Sequence, residues 1–189
     1  MKKILVAIIL MTIITPTLSA QVKTNFHSRN YVGLLEGEAG TSWQLLSING
    51  LQRKTWFAGL GTGLDFYRYR TVPLFFSVTK SIKPTGNGFY VLSDAGVNFA
   101  WISNQGRSRF NDFISDKFTP SLYWNAGIGY KTPLRIKENA LHINLAYSYK
   151  QLKETKEMPV FCVTAPCPPS VEEYKYSLKR LSVRLGWEF

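Results

Sequence analysis

Along much of the chain, bulky apolar residues occupy every second position. In residues 56–67, WFAGLGTGLDFY, Trp56, Ala58, Leu60, Thr62, Leu64 and Phe66 alternate with Phe57, Gly59, Gly61, Gly63, Asp65 and Tyr67. The same period runs through 54–67, 89–101, 121–131, 140–150 and 180–189, and less sharply through 31–39, 42–50 and 72–81. A two-residue period belongs to a β-strand whose faces meet different surroundings, and no heptad or 3.6-residue pattern competes with it after residue 20. These segments predict eight strands, each about the nine to eleven residues that a tilted strand needs to cross a hydrocarbon layer. An even number returns both ends of an up-and-down barrel to one side.

Alternation alone does not separate a membrane barrel from a soluble ligand-binding barrel of the lipocalin type, whose apolar side turns inward. The composition of the second face decides. A water-facing face is rich in Lys, Glu, Asp and Gln. Here Leu122, Trp124, Ala126, Ile128 and Tyr130 oppose Ser121, Tyr123, Asn125, Gly127 and Gly129, and Leu141, Ile143, Leu145, Tyr147 and Tyr149 oppose His142, Asn144, Ala146 and Ser148. Small, neutral, hydrogen-bonding side chains suit a crowded lumen, with glycines leaving room for large groups from other strands. The predicted fold is therefore all-β, an eight-stranded antiparallel up-and-down transmembrane barrel with Leu and Trp turned to lipid.

The charges follow the same phase. Asp65, Asp94, Lys131, Lys150, Arg180, Arg184 and Glu188 all fall on the inner face, where opposite signs can pair and plug a narrow lumen. A basic residue turned to mid-bilayer instead would cost about 2–4 kcal/mol. Glu36 and Glu38 are candidates for the same network, although adjacent Leu34 and Leu35 leave the phase of the first strand open. Aromatic residues near strand ends, Tyr67, Tyr69, Phe89, Trp101, Trp124, Tyr147, Tyr149, Trp187 and Phe189, predict girdles at the two lipid–water interfaces.

Residues 1–20 differ from the rest. Lys2 and Lys3 precede an apolar run from Ile4 to Ile14, Pro16 breaks it, and Leu18-Ser19-Ala20 offers a cleavage point. This is the layout of a secretory signal peptide, with an apolar run short for a spanning helix. Residues 21–29 then form an N-terminal periplasmic flank and 30–189 the barrel domain. The net charge of +11 becomes +9 without Lys2 and Lys3. In an exported chain such charge meets anionic lipid or lipopolysaccharide phosphates, or is simply solvated on loops, and nucleic acid is not expected.

The joins near NGLQR, PTGNG and IKENA are short and rich in turn formers, whereas residues 103–118 and 152–173 form two long connections. Outer-membrane barrels place such length on the cell surface. Arg107, Arg109 and Lys117 are candidate surface-binding residues on the first. The second holds Cys162 and Cys167, the two cysteines of the chain, which in an oxidising compartment are read as a local disulfide or as free thiols. A metal centre would need more ligands than the neighbourhood offers.

At its C-terminal end LSVRLGWEF alternates Leu181, Val183, Leu185, Trp187 and Phe189 on one side. With GLGTGLDFYRYRTVPLF, DAGVNF, AGIGYK and AYSYKQLK, the chain resembles, over residues 30–189, the small outer-membrane β-barrel domain family of Gram-negative bacteria, built like OmpA- and OmpX-type barrels. The resemblance implies an outer-membrane location, with lipid and lipopolysaccharide as surroundings. It also implies that Trp187 and Phe189 serve as the signal read by the barrel-assembly machinery. It says little of activity. Some barrels of this size modify lipid A, but that chemistry wants a His with a Ser or acid partner at the outer rim. His27 precedes the predicted first strand, and His142-Ile143-Asn144 has Asn where a His-x-Ser pairing needs Ser. No nucleophile elbow, phosphate loop or zinc motif occurs. The expectation is a non-enzymatic barrel with no cofactor or metal, structural or interacting through its outer loops. A narrow channel past Gly59, Gly61 and Gly63, a soluble ligand-binding barrel and, behind them, a lipid A-modifying enzyme are the alternatives.

Overall fold

A computed structural model describes residues 24–84, 86–101, 115–134, 139–158 and 170–189. Residues 1–23, Arg107, Arg109, Cys162 and Cys167 lie outside the described residues. The strands are β1 (Asn25–Gly37), β2 (Gly40–Arg53), β3 (Trp56–Asp65), β4 (Thr71–Ser81), β5 (Gly88–Ala100), β6 (Ser115–Thr119), β7 (Ser121–Pro133), β8 (Ala140–Met158) and β9 (Ser170–Glu188). Each pairs antiparallel with its neighbour, and β9 pairs both β8 and β1, so the sheet closes on itself. Backbone bonds between Ser28 and Phe189 in both directions, 2.8 and 3.0 Å, finish the seam.

The barrel has eight staves, because β6 and β7 are one stave broken at Pro120. β6 pairs Thr119 with Lys153 and β7 pairs Tyr123 with Lys150, so three residues on one side face two on the other. That is a bulge, and a proline with no N–H to give the ladder sits where one is tolerated. Turns at 54–55, 82–84 and 86–87 and the bonded pair Leu134 and Asn139 gather with Asn25 and Phe189 at one end, called here the near end. Turns at 38–39 and 66–70, Trp101 and the open ends of β6, β8 and β9 at Ser115, Met158 and Ser170 gather at the far end. Lys54 makes its tight turn with φ 53°, a left-handed conformation unusual outside glycine and asparagine.

Alternation in sequence becomes alternation across the wall. Leu60, Ile128 and Leu145 are 65, 54 and 52% exposed, as are their counterparts on every stave, whereas Phe57, Phe75, Tyr90 and Tyr123 are buried inside. The soluble reading required Leu60, Leu64, Ile128 and Leu145 to surround a cavity; none of them is buried. An apolar belt of this extent facing outward is unstable in water and stable in hydrocarbon.

Glycine does two jobs in the wall. Gly61, Gly129 and Gly186 each lie directly across the ladder from a large inward ring, Phe75, Tyr90 and Tyr31. A Cβ at any of these would strike the ring, so the missing side chain is the space the ring occupies. Gly59, by contrast, pairs with Gly50 and would meet backbone, with its Cβ 3.0 Å from the Gly50 Cα; here glycine permits the strands to coil sharply.

Three boundaries differ from the sequence expectation. β1 starts at Asn25, so residues 25–29 belong to the wall and not to a flank. β8 and β9 run on to Met158 and from Ser170 as a hairpin projecting past the barrel, joined by β6, so the long connections shrink to 101–114 and 159–169. Most of this projection is wetted on both faces, and its KETKE and VEEYKY segments lack the apolar alternation that marks a half-buried strand.

Candidate functional site

The lumen is filled by three ion clusters at successive depths. At the far end Asp65 sits where β3 ends, and its Oδ2 accepts from Arg180 Nη1 at 2.5 Å while Oδ1 lies 3.2 Å from Lys150 Nζ. Lys150 also donates to the carbonyls of Tyr67 and Tyr69 at 3.0 and 3.2 Å and to Thr71 Oγ1 at 3.0 Å. The Tyr67 amide donates to Asp65, and the Tyr67 ring lies 5.2 Å from the Arg180 guanidinium carbon. Tyr67 is therefore a buried lumen residue and not part of an outer girdle, because Arg68, with φ 58°, turns the chain only after the inward parity of β3 has carried Tyr67 inside.

At mid-depth Asp94 takes Arg184 Nη1 at 3.1 Å and Asn125 Nδ2 at 2.9 Å. Arg184 further donates to Tyr123 Oη and Ser182 Oγ. Gln44 donates to the same Ser182 hydroxyl at 2.7 Å.

At the near end Glu188 is the hub. Its Oε2 accepts from Arg29 Nε at 2.5 Å and lies 3.3 Å from His142 Nε2; its Oε1 is held by Lys131 and lies 3.4 Å from His27 Nδ1. Arg29 stacks on the Phe57 ring at 3.6 Å. His142 Nδ1 lies 3.0 Å from the Tyr90 hydroxyl, which in turn bonds Asn144.

All seven residues assigned to the lumen by parity thus point inward, and the structure brings them together around three carboxylates. Arg29 and His27 join them unannounced. Both precede residue 30, on a strand whose outward row mixes Ser28 and Asn30 with Phe26, Val32 and Leu34 and whose inward row mixes His27 and Arg29 with Tyr31 and Leu35, so the two faces contrast too weakly for the parity to be read. Glu36 and Glu38 are exposed and stand outside the network. Lys117 lies in β6 opposite Thr155. Trp187 and Phe189 point outward, 48 and 57% exposed.

On the projecting hairpin, Tyr176 packs beside Leu35, Leu152 and Leu178 and contacts Tyr69. Partial burial and the bond it donates to Glu154 push its phenol above the ordinary range. Arg68 lies over the same ring at 4.7 Å. Among the described residues no group of three or more His, Cys, Asp or Glu could hold a metal ion.

A closed eight-stave antiparallel barrel with an apolar outer belt and an ion-paired, filled lumen has the architecture of the transmembrane β-barrels. Among solved structures the chain is similar to the outer membrane protein OprG from Pseudomonas aeruginosa, with a TM-score of 0.51 over 89% of this chain and 97% of that one, at 11% identity. That likeness is one of fold. No family model and no curated protein matches the chain.

Proposed function

We propose that the protein is exported behind a cleaved leader and inserted in the outer membrane, near end to the periplasm and far end to the cell surface. There it serves as a plugged barrel in a structural or surface-interaction role. The observation that carries this reading is the pairing of an outward apolar belt with a lumen closed at three levels by buried ion pairs. Eight strands enclose little more than their own side chains, and here those side chains are bonded to one another. The fold shared with OprG supports the location, and the connection that carries Arg107 and Arg109, with Lys117 beside it on β6, supports the use of the outer surface toward lipopolysaccharide or another surface partner. Trp187 and Phe189 act as the assembly signal on this reading. Cys162 and Cys167 pin the last connection as a disulfide. The ring nitrogens of His142 face Tyr90 and Glu188, an arrangement that orients and fills and offers no nucleophile, which supports a non-enzymatic role.

Planar-bilayer recording of the refolded protein tests the plug. The reading expects no steady stepwise conductance; an ohmic channel of constant size would replace it with the narrow-channel alternative. Fractionation tests the location: the reading expects extraction only with detergent and a heat-dependent shift in gel mobility, and release with the periplasmic wash would defeat it.

A further inference from the structure

The lumen is closed below its near-end mouth, and above that seal lies an open vestibule of about 340 Å³. Its floor is the Glu188 cluster. Its walls carry Lys54 from the β2–β3 turn, Lys83 from the β4–β5 turn and Lys131 from β7, with His27 at the side. The charges do not balance. Both oxygens of Glu188 are engaged, one with Arg29 and one with Lys131, and among the described residues no other acidic side chain lines the space. Among the described residues three lysines therefore line a space with one carboxylate, which Lys131 and the deeper Arg29 already engage. Like charges gathered around one concave mouth focus a potential that draws counter-ions, and the exposed Lys54 and Lys83 leave it accessible. Neutral hydrogen-bonding groups, Asn25, Gln52 and Asn139, complete the lining, so a bound anion would find side-chain amides beside the ammonium groups. A volume of this order fits a small organic molecule better than a single ion.

We infer that the near-end vestibule is a binding pocket for an oxyanion-bearing ligand, a carboxylate or phosphate group seated between Lys54 and Lys83 with Lys131 beneath it. It is a blind pocket and not a pore entrance, because Arg29, stacked on Phe57 and bonded to Glu188, closes the way inward. The same chemistry is offered by a free polyanion and by the headgroup of an anionic phospholipid.

The test uses the full barrel, refolded in non-ionic detergent at low ionic strength, with the side-chain amide signals of Gln52 and Asn139 followed by NMR. Citrate and inorganic phosphate are the soluble probes. Nanodiscs of phosphatidylcholine with and without phosphatidylglycerol are the lipid arm. Saturable shifts with citrate or phosphate in micelles identify a soluble anion, and shifts that appear only in discs containing phosphatidylglycerol identify a headgroup. In either case Lys54→Asn with Lys83→Gln should weaken binding at least about tenfold, the scale of a lost charge-assisted hydrogen bond. Lys156→Gln, on the far hairpin, should leave it unchanged. Asparagine suits the left-handed turn at position 54, and unaltered heat-dependent gel mobility shows that the double variant has folded. Absence of saturable shifts in every arm, or shifts that persist undiminished in the folded double variant, overturns the proposal.

Discussion

At the far end Asp65 is gripped by Arg180 and Lys150, whose side chains are wholly buried, and the three protons of Lys150 are divided among Asp65, two carbonyls and a threonine hydroxyl. At the near end Glu188 is equally buried, but one of its partners, Lys131, keeps 21% of its side chain exposed and stands in an open vestibule. The chemistry is the same and the setting is not. A carboxylate shared between two cations in a sealed site works as a stopper, since both of its oxygens and both cations are held inside the wall. The same carboxylate under an open mouth becomes a floor, and its excess of positive neighbours is left for something else to answer.

Breaking the sealed knot should have the largest effect. Asp65→Ala strands Arg180 and Lys150 without a counter-charge and should lower stability by about 3–5 kcal/mol, read from urea unfolding in lipid vesicles by tryptophan fluorescence. Crowding the wall between the knots comes next. Gly61→Val would drive a side chain into the Phe75 ring, for about 1–3 kcal/mol, in the same assay. Glu188→Gln should cost about 1–2 kcal/mol, because the amide still accepts from Arg29 and Lys131 can turn toward water. A Glu188→Gln loss equal to that of Asp65→Ala would erase the distinction between stopper and floor.

The smallest effect concerns the outer wall. Asn30, Ser47 and Thr62 lie directly opposite one another across β1, β2 and β3, facing outward among leucines. Thr62→Val removes a hydroxyl from that row and should raise stability by less than about 1 kcal/mol, seen as a later unfolding midpoint.

Particular residues show what the sequence could reveal and why it stopped. Asp65, Asp94, Arg180 and Arg184 were readable because each interrupts a strand whose other face is strongly apolar, so parity alone assigns them. The glycine–ring pairs could be suspected but not matched, since register between strands is absent from any one strand's pattern. His27 and Arg29 were lost to the mixed polar and apolar rows of β1. Tyr67 was misread as an interface aromatic although the alternation of β3, followed two residues further, turns it inward. The vestibule was invisible, for it is assembled from turns and from strands β1, β2, β7 and β9, distant in the chain, and only barrel closure brings Lys54, Lys83 and Lys131 to one mouth.

The central claim is that bulky residues meet hydrocarbon while the charged side is enclosed, and the five tryptophans test it directly. Trp43, Trp56, Trp101 and Trp187 are about half exposed on the outer surface, and Trp124 lies against the outward rings of Tyr147 and Tyr149. In vesicles whose acyl chains carry bromine, most of the tryptophan emission should be quenched, while a soluble quencher removes little. Strong quenching by the soluble agent with none from the brominated chains would contradict the account.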